Sequence, residues 1–196
     1  MAYIEIIPED EAGPDLRELY DRYRAPWGGV DTILKIHSLL PGTLKPHVDL
    51  YRTIMFGRGP LTRRQRELVA TVVSRSNHCG YCVHHHADAL LRVSKDRPLV
   101  DAVRAGNDPA GLTDAERLMI VYAEELTLHP GQSPGERVEE LKRAGVSEET
   151  ILHIALVVGY FNFVNRIANG LGVELEGYWR PDGYSDPELP MAHDDR

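Results

Sequence analysis

The chain has 196 residues, 42% of them hydrophobic and 27% charged, with a formal net charge of -8. These proportions belong to an ordinary globular chain, long enough to bury a core without disulfide staples, and they exclude a disordered or fibrous one. The acidic balance argues against nucleic acid as a partner, because neutralising phosphates needs a surplus of Lys and Arg on some face.

The opening MAYIEIIPEDEAGPD has neither the basic start nor the apolar run of a signal peptide, and the most apolar stretch, IALVVGYF at 154–161, is too short to cross a bilayer. The expectation is a cytoplasmic protein with no membrane partner. Apart from YIEII near the start, no alternating β-branched run is bounded by turn residues, whereas helical spacing recurs throughout, so the expected fold class is all-α. After an extended opening, helices are expected at 15–24, 31–39, 43–56, 62–74, 79–94, 98–105, 113–128, 134–144 and 147–171.

Thr113 followed by Glu116 makes a capping-box candidate and Ser147 an N-cap, while Gly106, Gly111, Gly131 and Gly145 fall between helices. The stretches LTRRQRELV from Leu61 and LTDAERLMI from Leu112 echo one another, as a duplicated helical hairpin would or as a generic helix start would. The basic run from Arg58 to Arg66 reads as a solvated turn and first helical turn. From Gly177 the composition turns to Pro, Gly and Asp, which divides the chain into one helical domain, 1–176, and an irregular arm, 177–196, that Tyr178 and Trp179 could dock onto a surface.

Chemistry concentrates in SRSNHCGYCVHHHADAL, Ser74 to Leu90, which holds both cysteines of the chain and four of its nine histidines. In a reducing compartment such a pair is catalytic, redox-active or metal-binding rather than a permanent bridge. On a helix starting at Cys79, the residues Cys79, Cys82 and His86 stand at i, i+3 and i+7 on one face. A thiol at a helix N-terminus is favoured as thiolate, which by itself points to Cys79 as the more acidic of the two. The polar residues Ser74, Ser76 and Asn77 could break the helix, and a hairpin there would bring Glu67 beside His86. The small or polar stripe Glu67, Ala70, Thr71 and Ser74 would allow that close approach. A relay from Glu67 through His86 to Cys82 follows, direct or through a water.

The pattern E-x11-C-x2-C-x3-H formed by Glu67, Cys79, Cys82 and His86 resembles the motif of the AhpD-like alkylhydroperoxidases in the carboxymuconolactone decarboxylase superfamily. The flanking LTRRQRELVATVVSRSNHCGYCVHHHADAL is similar to that family's core, centred here on 41–95, and AGVSEETILHIALVVGYFNFVNRIANGLGVELE is similar to the uncharacterised peroxidase-related branch. The resemblance covers roughly 41–176. It implies an AhpD-like helical bundle, homo-oligomers such as trimers or hexamers, and reduction of a hydroperoxide substrate by a dithiol that an external dithiol or thioredoxin-like reductant resets. It also implies Cys82 as the peroxidatic and Cys79 as the resolving thiol, with His86 and Glu67 assisting, and requires no organic cofactor and no metal. One departure is Tyr81, where the best-studied AhpD proteins carry a histidine.

Plainer readings stand beside these. A structural zinc would use Cys79, Cys82 and His86, but the second ligand pair is missing, since His129 and His153 stand alone. Glu67 could be a surface carboxylate pairing with Arg63 or Arg64. His84 and His85 read as exposed, His153 as a satisfied core or interface histidine, and Tyr160, Phe161 and Phe163 as core or subunit interface; Asn165 and Arg166 are only candidates to line a pocket. Two other functions use the same residues differently: a redox sensor that oxidises once without turnover, and a decarboxylase-like enzyme that does not need its thiols.

Overall fold

The computed structural model describes residues 2–132 and 135–190. Among them the chain forms α1 (Pro14–Arg22), α2 (Thr32–Lys35), one 3-10 turn (Pro41–Thr43), α3 (Leu44–Phe56), α4 (Arg63–Ser76), α5 (Gly80–Ser94), α6 (Arg97–Ala105), α7 (Asp114–Leu128), α8 (Gly135–Arg143) and α9 (Glu148–Leu171), with no strand. Each expected helix is present. The expected start of the eighth at Pro134 and the last six residues of the arm lie outside the described residues. The expected second helix is shorter than its apolar pattern suggests. Leu40 precedes Pro41, whose ring disfavours helical backbone at the residue before it, and Leu40 is non-helical at φ -135°, ψ 67°.

The fold is organised around α4. It opens on a capping box in which Thr62 Oγ1 accepts the Gln65 N–H at 3.2 Å and Gln65 Oε1 accepts the Thr62 N–H at 3.0 Å. From Arg66 to Ser74 every residue is buried, the signature of a helix enclosed on all sides. Its neighbours are α5, α7 and α9. The basic run is therefore not wholly solvated as expected: Arg66 is buried and donates from Nε to the Leu61 carbonyl at 3.0 Å.

The same Leu-Thr signal opens α7, where Thr113 and Glu116 form the second capping box. An ion pair between Arg64 and Glu116 ties the first turns of the two helices together. Ser147 caps α9 by accepting the Thr150 N–H at 3.2 Å. By length and hydropathy α9 would also suit a membrane span, but 56% of its most apolar window is buried in the bundle, where Ile154, Val157, Val158, Phe161 and Val164 form the core with Val69, Val73, Met119 and Ala123.

The first forty residues, about which the motifs say nothing, form a separate apolar cluster. Leu16, Tyr20, Tyr23 and Val30 pack against Leu44 and Val48 of α3. Tyr20 donates to the Ile7 carbonyl at 2.8 Å, and the Tyr3 N–H reaches the Leu171 carbonyl at the end of α9, also at 2.8 Å. YIEII thus serves as an irregular strap.

Candidate active site

The site depends on the reversal between α4 and α5. Asn77 caps α4, and His78 takes the left-handed conformation at φ 52°, unusual for a residue with a side chain. The Cys79 N–H then returns to the Ser74 carbonyl at 2.9 Å. Three asparagines of α9 hold this turn. Asn162 and Asn165 accept from Asn77 Nδ2 at 3.2 and 3.0 Å, and Asn169 Nδ2 donates to the Asn77 carbonyl at 2.9 Å. Cys79 becomes the N-cap of α5 and Cys82 lies in its first turn; both thiols are free and buried.

The hairpin brings Glu67 against His86, as the spacing predicts. Glu67 is fully buried, and its Oε2 lies 2.7 Å from His86 Nδ1 while its Oε1 lies 2.7 Å from the Arg63 guanidinium. The surface reading of Glu67 is thereby corrected, although its pairing with Arg63 is real. The carboxylate accepts a hydrogen bond from Nδ1–H and so keeps the ring proton on Nδ1, which leaves Nε2 as the basic nitrogen of the imidazole. His86 packs edge-on against Phe161 at 4.4 Å between ring centres.

The two thiols differ in access and in electrostatics. Cys82 lines a cavity of about 390 Å³, whereas Cys79 is not part of its wall. Cys79, however, is the better seat for negative charge. The Cys82 S–H donates to it, and together with the Cys82 N–H and the Asn165 side chain this outweighs burial and pulls its pKa down. Cys82 is pushed well above the usual thiol value by that same hydrogen bond and by burial. Of the two thiols, Cys79 is the one that gives up its proton more readily.

Asn165, by sequence only a candidate to line a pocket, is a site residue. It is fully buried, holds the turn through Asn77, donates to Ser74 Oγ at 3.2 Å and faces the sulfurs. No local pattern marks it, because it lies more than eighty residues from the cysteines in sequence.

A second cluster centres on Glu176, where the arm begins. Its Oε1 accepts the Thr32 N–H at 2.8 Å and the Tyr81 hydroxyl at 2.7 Å; its Oε2 receives His85 Nε2 at 3.0 Å and Trp179 Nε1 at 3.2 Å. His85, expected to be exposed, is 5% exposed, because the arm covers it with Trp179 at 4.9 Å between ring centres. His84 is half-buried under the same indole. Burial works against a charged His85, but Glu176, Asp31 and Asp88 outweigh it and raise its pKa. Burial likewise opposes the Glu176 carboxylate, and His85 overcomes it and holds Glu176 far below the usual carboxylate range. His85 in turn is one of the positive influences on Cys79. Tyr81, the departure from the motif, thus joins α5 to the arm instead of supplying an imidazole.

The rest of the arm follows α5 and α6. Asp88 accepts from the Ser185 N–H at 3.1 Å and its hydroxyl at 2.7 Å, Tyr184 donates to Asp101 at 2.6 Å, and Arg97 lies over the Tyr184 ring at 4.0 Å. Tyr178 stacks obliquely on Trp27 at 5.2 Å. The docking expected of Tyr178 and Trp179 is present and extends well beyond them.

His153 is a core histidine, with Nε2 2.9 Å from the Ile54 carbonyl. His129 is exposed. Among the described residues no three His, Cys, Asp or Glu side chains converge as a metal cage.

Residues 41–125 match the carboxymuconolactone decarboxylase family. An uncharacterised Bacillus subtilis protein, YdfG, is 23% identical over 136 residues, which cover 69% of this chain and 91% of YdfG. Among solved structures, an uncharacterised peroxidase-related protein from a Silicibacter species is 26% identical with a TM-score of 0.79, covering 90% of this chain and 92% of that one. A protein described as an alkylhydroperoxidase AhpD core from Ralstonia eutropha, also peroxidase-related, has the same TM-score at 22% identity, covering 90% of this chain and 93% of its own. In that helical core and in the E-x11-C-x2-C-x3-H geometry, the chain is similar to the AhpD-like, peroxidase-related proteins of the carboxymuconolactone decarboxylase superfamily.

Proposed function

We propose that this chain reduces organic hydroperoxides through the Cys79/Cys82 dithiol. The observation that carries the reading is that one cavity wall holds Cys82 and His86 together, with His86 fixed by buried Glu67 and Cys79 hydrogen-bonded behind Cys82. Loss of one proton from the pair to His86 Nε2, followed by movement of the remaining proton from Cys82 to Cys79, places a thiolate on the sulfur that faces the cavity. That thiolate attacks the terminal peroxide oxygen, an S–O bond forms as the O–O bond breaks, and the alkoxide leaves as alcohol by taking that proton back from His86. Cys79, once deprotonated, attacks the Cys82 sulfenic acid and displaces hydroxide, which leaves as water, and the disulfide remains. An external dithiol supplies the two electrons that restore the pair.

Cys82 is then peroxidatic and Cys79 resolving, with no organic cofactor or metal in the cycle. A cytoplasmic, reducing setting suits it. A homo-oligomer is supported by the outward row of α9, where Leu152, Leu156 and Phe163 are 60%, 47% and 48% exposed.

The test is intact mass of the denatured, reduced protein before and after one equivalent of cumene hydroperoxide, with Cys82→Ser and Cys79→Ser in parallel. Rapid loss of about two mass units in the wild type, with sulfenic acid trapped only where Cys82 remains, is the expected result. Sulfenic acid on Cys79 in Cys82→Ser would reverse the two roles. No disulfide in the wild type would leave the thiol-independent, decarboxylase-like reading. One oxidation without turnover under excess dithiol would favour the redox sensor.

A further inference from the structure

The carboxylate that fixes His86 is itself shared with a cation. One oxygen of buried Glu67 lies 2.7 Å from His86 Nδ1, and the other meets the Arg63 guanidinium, also at 2.7 Å. Arg63 stands four residues before Glu67, in the first turn of α4, where the capping box fixes the helix start. Its guanidinium lies over the Phe56 ring at 3.8 Å. Phe56 lines the cavity and Arg63 does not, so the guanidinium bears on the reacting groups through Glu67 rather than by touching a ligand.

The Arg63 charge bears on which form His86 takes. A buried carboxylate facing an imidazole alone favours imidazolium, because the pair is then neutral. With Arg63 on the second oxygen the carboxylate charge is already balanced, and a proton added to His86 would give this trio a net positive charge out of water. That holds wherever the proton lands within the Glu67–His86 pair, since a positive charge beside two coupled groups makes them bind a proton less readily.

The other titratable groups facing the trio are Tyr51 from α3, Arg66 on α4, Cys82 on α5 and Tyr160 from α9. Burial, with Glu67 adding to it, pushes the Tyr51 phenol well above its ordinary value, and burial does the same to Tyr160, so both stay neutral. Asp31 acts on Tyr51 more weakly than Glu67 does. Arg66 donates to the Leu61 carbonyl and adds positive charge in the same sense as Arg63. On α7, Glu116 is taken up by Arg64.

We propose that Arg63 is a positioning residue of the dithiol cycle: it shares the Glu67 carboxylate with His86 and thereby keeps the imidazole in its basic form, ready to take the proton that the thiol pair gives up. The proposal rests on the peroxidase reading for the reaction, while the charge balance it describes exists in the reduced protein without any peroxide.

The experiment follows disulfide formation with cumene hydroperoxide by stopped flow, from about pH 5 to 9, in wild type, Arg63→Gln, Arg63→Lys and Arg64→Gln. NMR titration of the His86 ring resonances in the same reduced proteins gives a second readout that needs no peroxide. Arg63→Gln should move the acidic limb of the rate profile and the His86 midpoint to higher pH together. On that limb its rate should be about tenfold below wild type, and the two should meet on the alkaline plateau. Arg63→Lys keeps the charge, and Arg64→Gln removes one that is paired with Glu116 instead, so both should track the wild type. A uniformly slower Arg63→Gln with limb and midpoint in place would make Arg63 a structural brace and overturn the proposal. An Arg63→Lys profile shifted as far as that of Arg63→Gln would overturn it too. If Arg63→Gln lacks native circular dichroism, Arg63→Met, which keeps an apolar stem on Phe56 and loses the same charge, is read in its place. A wild type that forms no disulfide at any pH refutes the peroxidase reading. The NMR midpoint then decides alone, an upward move in Arg63→Gln sustaining the charge balance and an unmoved one overturning it.

Discussion

Replacing Glu176 with glutamine tests whether the arm is part of the site's electrostatics or only a cover. The Glu176 side chain is 4% exposed and accepts four hydrogen bonds, two on each oxygen. An amide nitrogen cannot accept, so in either orientation of the new side-chain amide one pair of donors faces an NH2 group. If the oxygen stays on Thr32 and Tyr81, then His85 and Trp179 lose their acceptor and a buried imidazolium loses its nearest anion. Two unmade buried bonds, one of them charge-assisted, correspond to about 3 kcal/mol, or roughly 6–12 °C in Tm for a chain of this size.

The pH dependence has a definite sign. His85 is raised above the ordinary 6.5, so its contribution is fully present below that value and is lost as pH rises through the raised value. Glu176 is depressed below the ordinary 4.5, so its contribution is present above 4.5 and is lost as pH falls through the depressed value. The stability difference between wild type and Glu176→Gln should therefore be largest between those two ordinary values and shrink above neutral. Asp31 and Asp88 also face His85, so part of its elevation survives in the variant. Urea denaturation across a pH series measures this directly. A difference below about 0.5 kcal/mol, the scatter expected of an ordinary surface change, or one independent of pH, would refute the account.

Three further substitutions separate the parts of the site. Glu67→Gln keeps the shape beside His86 but removes the anion, and should slow peroxide-driven disulfide formation about 10- to 100-fold in stopped-flow measurements; an unchanged rate would remove the relay. Asn165→Ala takes away a donor to Cys79 and should move the first thiolate midpoint, read by absorbance near 240 nm, upward. A midpoint that stays in place would mean that Asn165 only braces the turn. Thr113→Ala opens the capping box of α7 and should cost about 1 kcal/mol in urea denaturation with no change in the rate of disulfide formation.

Local features of this chain are legible in its sequence. The caps Thr113 and Ser147, the C-x2-C-x3-H spacing and the break near Asn77 are encoded within a few residues, and a short window carries all the physics they need. Even the contact between Glu67 and His86 follows from one hairpin, because a single reversal fixes which faces of two adjacent helices meet. The helical pattern, the family motif and the approximate ends of the helices other than α2 were thus determined by the sequence itself.

Other features were decided by tertiary structure alone. His85 has the composition of an exposed helix position and is buried only because Trp179, from the far end of the chain, lies over it. Asn165 reaches the thiols because α9 packs against the turn at Asn77, and Tyr23, Asp31 and Ile33 enter the cavity wall because the N-terminal segment folds over α3. The greater acidity of Cys79 over Cys82 depends on the hydrogen bond between two buried sulfurs and on a donor from α9. Helix periodicity specifies which side of a helix is apolar, but not which distant segment covers it; that choice is made by packing, where burial and hydrogen bonding of segments eighty or more residues apart are settled together.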